Sequence, residues 1–309
     1  MPLDPQCAAI IDAARSSPPF DADDPAAMRA AYAASTAGYA YDPGPIATEN
    51  TAFDGPAGQV RVRLYRPFGS DVVLPVVVFY HGGGWVVGDL ETHDHVCRHL
   101  ASRAGVVIAA IDYRLAPEHP FPAALEDSIA AVNWVAREAA RLRIDAKRIA
   151  VGGDSAGGQL AASVALGLRD TNGPPLAFQL LIYPVCDLIA DNESLRINAT
   201  GYLLTRAAYQ KLCRWYLAEE SQWSDPRLSP RHAAHHRGLP AALVQTAEFD
   251  PLRDEGRDYA ATLRAAGVAV EEKCYAGMVH GFARMGGKVD MGKVALDDAA
   301  RALRAGLTS

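Results

Sequence analysis

The run Gly153-Asp154-Ser155-Ala156-Gly157 sets a serine midway between two glycines. An apolar stretch, 149–152, leads into it and another of helical length, 160–168, leads away, so Ser155 falls where a strand turns sharply into a helix. Glycines remove the side chains that would collide in such a turn, and the turn lifts the hydroxyl to a sheet's carboxyl edge beside a helix N-terminus. That is a nucleophile's position rather than an ordinary capping serine's. A second apolar run, 76–80, ends in His81-Gly82-Gly83-Gly84-Trp85. Three glycines in a row let backbone N–H groups converge on one point, as the oxyanion of an acyl-transfer transition state requires. A dinucleotide loop is the rival reading, but G-x-G-x-x-G begun at Gly82 needs glycine where Val87 stands.

A serine hydroxyl needs an imidazole to take its proton, and the imidazole needs a carboxylate on its other nitrogen. Asp250 follows the apolar run 243–246, and His280 follows the run 268–275 within Met278-Val279-His280-Gly281-Phe282. Asp254 and Glu255 fall in the first turn of the next helix, where acids ordinarily serve the dipole and need no further role. His232, His235 and His236, in Arg-His-Ala-Ala-His-His-Arg, read as a solvated cluster rather than metal ligands, so no metal and no cofactor is expected. The stretch 287–294 nearly spells a phosphate loop, but Val294 replaces the Ser or Thr that would meet magnesium.

These residues need a sheet to bring them together. Continuous apolar runs at 76–80, 106–111, 149–152, 178–183 and 243–246 read as parallel strands covered on both faces. Residues 59–66 alternate like a half-exposed antiparallel strand, and 46–53 and 268–275 complete eight candidates. Helix-length segments separate them, as at 121–141, which predicts a parallel α/β sheet with right-handed crossovers. About sixty residues between the strands near 183 and 243, helical around 205–219, are too long for a simple crossover. The first 45 residues predict two Ala-rich helices opened by Asp4-Pro5 and Asp24-Pro25, whose Phe20, Met28 and Tyr32 must be buried against something else.

From about residue 60 to 282 the chain resembles the hormone-sensitive-lipase-like esterases, specifically the branch with the G-D-S-A-G motif. The resemblance implies the α/β-hydrolase fold: a mostly parallel eight-stranded sheet flanked by helices, with a helical cap. The core would be 46–186 with 226–309, and the cap 1–45 with 187–225. It maps Ser155, Asp250 and His280 onto a catalytic triad, in the chain order this fold uses, and the amides of Gly83, Gly84 and Ala156 onto the oxyanion hole. Trp85, Tyr183 and Leu204 are expected to line the substrate pocket, whereas Tyr202, Leu203, Tyr209, Trp215 and Tyr216 are equally suited to pocket or core. The proline-rich stretch 112–123 looks like this family's loop beneath the active site and suits bracing. Gln159 departs from the Asn more usual there. The implied activity is carboxylic-ester hydrolysis through an acyl-enzyme, on esters with short to medium acyl chains. Amide hydrolysis or deacetylation by the same residues stays open, and a non-catalytic ligand receptor on this fold is disfavoured because His280 is present.

Composition agrees. In 309 residues, half of them hydrophobic, there is enough to build a large core. Thirty Lys and Arg against 36 Asp and Glu give a net charge of −6, the wrong sign for nucleic acid. No apolar run is long enough to span a membrane, and no secretory signal opens the chain, so a cytoplasmic enzyme of small-molecule esters is expected. Cys7, Cys97, Cys186, Cys213 and Cys274 form no metal-like or disulfide-like pattern. A homodimer is left open.

Overall fold

The computed structural model describes residues 2–15, 23–70, 72–217 and 219–308; Phe20 lies outside them. Eight strands form one sheet: β1 (Ile46–Gly55), β2 (Gly58–Pro67), β3 (Leu74–Tyr80), β4 (Val107–Asp112), β5 (Ile144–Asp154), β6 (Phe178–Ile182), β7 (Ala241–Phe249) and β8 (Val270–Val279). Their order is β1-β2-β4-β3-β5-β6-β7-β8. β1 pairs with β2, and β2 with β4, antiparallel, while every later pairing is parallel. This is the α/β-hydrolase arrangement expected, with the alternating strand β2 next to the edge and the apolar ones inside.

Strand β3 shows why the inner runs are unbroken. Val76, Val78 and Tyr80 enter one core with Leu125 of α4 (Ala123–Arg137) and Leu160 of α5 (Ala156–Asp170). Val77 and Phe79 enter a second core with Leu100 of α3 (Asp94–Ala104) and Leu296 of α9 (Asp290–Thr308). Alternate side chains go to opposite faces, and both faces are covered, so every position must be apolar. The helix α8 (Arg253–Ala265) adds Tyr259 and Leu263 to the first core.

Both N-terminal helices form where their Asp-Pro pairs place them. Asp4 caps α1 (Pro5–Ala14) by accepting from the amides of Gln6 and Cys7, and Asp24 caps α2 (Pro25–Ala37) through the Ala26 amide. Met28 and Tyr32 are buried in the first core, while Cys7, Ile10 and Ile11 of α1 join the second. The long connection between β6 and β7 holds α6 (Glu193–Ile197), which the periodicity did not reveal, and α7 (Arg206–Tyr216), which it did. A five-residue helix is too short to show a hydrophobic period. Among the described residues no helix is long and apolar enough to cross a membrane.

Candidate active site

Ser155 stands between β5 and α5 with φ of 56°, a left-handed conformation that a side-chain-bearing residue adopts only when its surroundings enforce it. The enforcement is visible. The Ser155 amide donates to Ile182 O at 2.8 Å, and the Ser155 carbonyl accepts from Gln159 at 3.1 Å and Val185 at 3.3 Å. A Cβ on Gly157 would run into the backbone carbonyls of Tyr80 and His81, so only glycine lets α5 start this close to β3.

β7 and β8 end at the same edge, where they deliver the other two side chains. His280 Nδ1 lies 2.7 Å from Asp250 Oδ2, and His280 Nε2 lies 2.9 Å from Ser155 Oγ. A carboxylate can only accept, so Nδ1 carries the proton and Nε2 is left to accept from the serine hydroxyl. Asp250 is fully buried; its Oδ1 accepts from the Leu252 amide at 2.8 Å, and its own carbonyl accepts from Asn198 Nδ2 at 3.1 Å. Its position is thus fixed from the α6 side as well as from its own loop.

The glycine loop follows β3. Gly84 has φ of 59°, and a Cβ there would sit 2.5 Å from Leu212 Cδ1, so the residue is glycine both for its backbone and for the approach of α7. Among the described residues the amides of Gly83, Gly84 and Ala156 have no recorded protein acceptor, and Ala156 opens α5, where the first amides lack an intrahelical partner. Asp154, the residue before the serine, ties elbow to loop: Oδ1 accepts from Gly82 N at 2.9 Å and stands 3.2 Å from His93 Nε2. Burial pushes the Asp154 carboxyl up, but His93, Arg284 and the Gly82 amide outweigh it and hold the group below its ordinary range. His81 stacks on Tyr113 with centroids 4.3 Å apart, and burial followed by the nearby His93 pushes its imidazole down to about 4.

Residues 112–123 brace this loop from below. Tyr113 Oη donates to His81 O at 2.7 Å, the Ala116 amide donates to Trp85 O at 2.9 Å, and Arg114 grips the fully buried Asp127 with two side-chain bonds of 2.9 Å. Arg29 of α2 reaches the same place, donating to Val86 O, Ala116 O and both oxygens of Glu118.

A cavity of about 1420 Å3 opens above Ser155 and His280, walled by α1, α2, α7 and residues 201–205. Trp85 and Leu204 line it, as do Tyr202, Leu203 and Tyr209. Tyr183 does not: it is buried beneath His280, its ring centroid 4.9 Å from that of the imidazole. The residue leaves β6 with φ of 34°, which turns the side chain under the imidazole instead of into the cavity. Tyr216 stacks on Trp85 at 4.5 Å with the planes 6° apart.

Four side chains take roles that sequence reading did not assign. Gln159 is completely buried; its Oε1 accepts from Trp85 Nε1 at 3.0 Å while Nε2 donates to Ser163 Oγ and Arg227 O, so the departure from Asn links loop, α5 and the turn before β7. Glu255, expected to serve only the helix dipole, is buried, accepts from the Cys186 amide at 2.8 Å and has its acidity suppressed by burial. The histidines of 232–236 are not uniformly solvated. His236 is buried with Nε2 donating to Pro230 O, and His232 pairs with Asp187 at 2.8 Å.

A sheet of this order with serine, histidine and aspartate meeting at its carboxyl edge defines an α/β-hydrolase. The family described as alpha/beta hydrolase fold matches residues 77–284, and the chain belongs to it, on the hormone-sensitive-lipase-like branch. Esterase LipI of Mycobacterium tuberculosis is 43% identical over 256 residues, 82% of this chain and 80% of LipI. Ethyl acetate hydrolase of Pseudomonas putida is 41% identical, covering 74% of this chain and 73% of that protein. The ester-hydrolase EH1AB1 from the metagenome of Lake Arreo, solved with a derivative of bipyridine phosphonate, superposes with a TM-score of 0.96 at 41% identity over 99% of this chain and all of that one.

Proposed function

We propose that the chain is a carboxylic-ester hydrolase working through an acyl-enzyme on Ser155. The observation that carries this reading is the continuous hydrogen-bonded series from buried Asp250 through His280 to a hydroxyl facing the cavity. Ser155 Oγ attacks the ester carbonyl as its proton passes to His280 Nε2, and Asp250 steadies the resulting imidazolium. The carbonyl oxygen takes the negative charge and meets the amides of Gly83, Gly84 and Ala156. His280 then returns the proton to the leaving alkoxide, giving free alcohol and acyl-Ser155. Water, deprotonated by the same imidazole, attacks the acyl carbon, and the imidazolium returns that proton to Ser155 Oγ as the acid leaves. The relatives' names, esterase and ethyl acetate hydrolase, point to the same reaction on small esters. Five free thiols fit the cytoplasmic setting expected for such an enzyme.

The helices of 1–45 and 187–225 act as a cap in this reading. Leu212 of α7 presses directly on Gly84, which narrows the side of the cavity nearest the oxyanion loop and favours acyl chains of roughly four to eight carbons, each methylene adding about 0.8 kcal/mol until the space is filled. The test is a series of para-nitrophenyl esters of increasing acyl length beside the matching para-nitroanilides. Expected is an ester optimum within that range and much slower anilide turnover; anilides cleaved as fast as esters would transfer the assignment to amide hydrolysis.

A further inference from the structure

We propose that the cavity holds a carboxylate of its substrate on Arg284, so that the natural ester is itself an anion. The proposal rests on the ester-hydrolase reading for the reacting bond, but the anion site stands on its own geometry.

The chain carries a net charge of −6, yet among the described residues the charged side chains that line its cavity are Arg15, Arg284 and Lys288 against Asp154. Two of these four are already engaged. Arg15 pairs with Asp12 at 3.2 Å, and Asp154 is taken by the Gly82 amide and His93. Among the described residues no carboxylate comes within 4 Å of Arg284 or Lys288.

Arg284 is held in place by uncharged groups, and the buried Asp154 carboxylate feels its charge without pairing with it. It sits in the 3-10 turn Phe282–Met285, and its carbonyl accepts from His95 Nε2 at 2.7 Å. The guanidinium lies over Tyr32, 4.5 Å from the ring centroid, and 5.4 Å from that of Tyr39. Nη1 donates to Thr36 Oγ1 at 2.9 Å, the one hydrogen bond its five N–H groups make among the described residues. Aromatic faces orient a guanidinium through its plane and do nothing for its edge. That edge belongs to a cavity wall built largely of apolar residues, where an unpaired cation is poorly solvated and a carboxylate able to accept two parallel bonds is the matching partner.

The position is suited to a substrate group. Arg284 Nε is 3.5 Å from where a Cβ on Gly281 would stand, immediately beside the base His280. Lys288, whose ammonium lies 5.7 Å from the Tyr39 centroid, extends the positive field outward along the same wall. An anionic ester would be drawn in by both charges and oriented by the inner one.

Binding and turnover test this separately. In titration calorimetry, benzoate should bind at least about tenfold more tightly than benzamide, a neutral molecule of the same shape, and Arg284→Met should erase that difference while Arg284→Lys, which keeps the charge over Tyr32, retains part of it. Two ester pairs locate the carboxylate: mono-para-nitrophenyl glutarate against para-nitrophenyl pentanoate places it on the acyl half, and para-butanoyloxybenzoate against its methyl ester places it on the alcohol half. One anionic member should exceed its neutral twin in kcat/KM, with the ratio collapsing in Arg284→Met. Equal affinities for benzoate and benzamide, a difference that survives Arg284→Met, or the neutral ester preferred in both pairs would overturn the proposal. A benzoate preference that depends on Arg284, in a folded protein that turns over none of the four esters, would uphold the anion site and sink the hydrolase reading instead.

Discussion

The sheet edge and the helical walls above it are built on different terms. At the edge, Ser155, Gly83, Gly84 and Asp250 are held by backbone geometry: a forced φ, glycines at close approaches, and amides that meet carbonyls and a carboxylate. The walls are joined to that base largely by side chains, as in Arg29 to Glu118 and Arg284 to Thr36. Gln6 to Asp290 is a further join of this kind. Backbone-defined geometry tolerates little change, whereas side-chain ties can be exchanged singly. The reacting groups and the substrate-selecting surface should therefore respond separately to mutation.

The largest effect should come from removing a reacting group without touching the frame. Ser155→Ala should lower kcat by about four to six orders of magnitude with an unaltered unfolding midpoint, and neither His280→Ala nor the double variant should add much, because the three side chains act as a unit. Stoichiometric labelling of Ser155→Ala by an organophosphonate would contradict the assignment. Next is the frame itself: Gly157→Ala drives a methyl into the carbonyls of Tyr80 and His81 and should cost about 3 kcal/mol in urea unfolding, since backbone cannot step aside.

Acid should also strike the edge first. Burial, with His93 adding to it, brings His81 down to about 4, and burial brings His95 there despite its bond to Arg284 O. Both stay neutral when folded, whereas an unfolded imidazole takes a proton near ~6.5. Their contribution is therefore complete above that value and is lost as the pH falls toward about 4, by roughly 3 kcal/mol at most for His95. Thermal midpoints measured between pH 7 and 4.5 should fall accordingly, and His95→Gln should flatten the slope; a slope unchanged by that variant would remove His95 from the account. The smallest effect belongs to the walls. Arg29→Ala should leave the unfolding midpoint within about 1 kcal/mol while broadening the acyl-chain optimum of ester hydrolysis. A narrow optimum retained in that variant would mean that α2 does not shape the pocket.

The same contrast explains what could be read in advance. The five inner strands β3 to β7 are legible because double-sided burial imposes unbroken apolar runs, β2 because its buried positions alternate, and Ser155, Asp250 and His280 because each follows a strand that ends at one edge. Glycines at 83, 84 and 157 are legible for the same reason, since backbone demands leave a residue type as their trace. Side-chain destinations leave none. Whether Tyr183 enters the cavity or slips beneath His280 depends on one backbone angle at the end of β6. Glu255 carries the letter of an exposed helix-start acid and is buried, because the amide of Cys186, distant in sequence, comes to meet it. Arg284 sits four residues after His280 and could have been noticed as a cation beside it, but only the fold shows that its guanidinium lies on the rings of Tyr32 and Tyr39 and pairs with no carboxylate among the described residues.

The stack of Trp85 on Tyr216 bears on attempts to re-engineer substrate range by transplanting helices between relatives. Tyr216 is the last residue of α7, its carbonyl accepts from Phe121 N at 2.8 Å, and its ring lies flat on the tryptophan that follows Gly84. A graft that exchanged α7 for a helix ending in a small residue would strip Trp85 of that face and leave Gln159 alone to hold the indole. The glycine loop would loosen along with the wall, and, on the proposed mechanism, a chimera meant to alter selectivity would lose rate. Donor helices that keep an aromatic residue at their final position are the ones compatible with this scaffold.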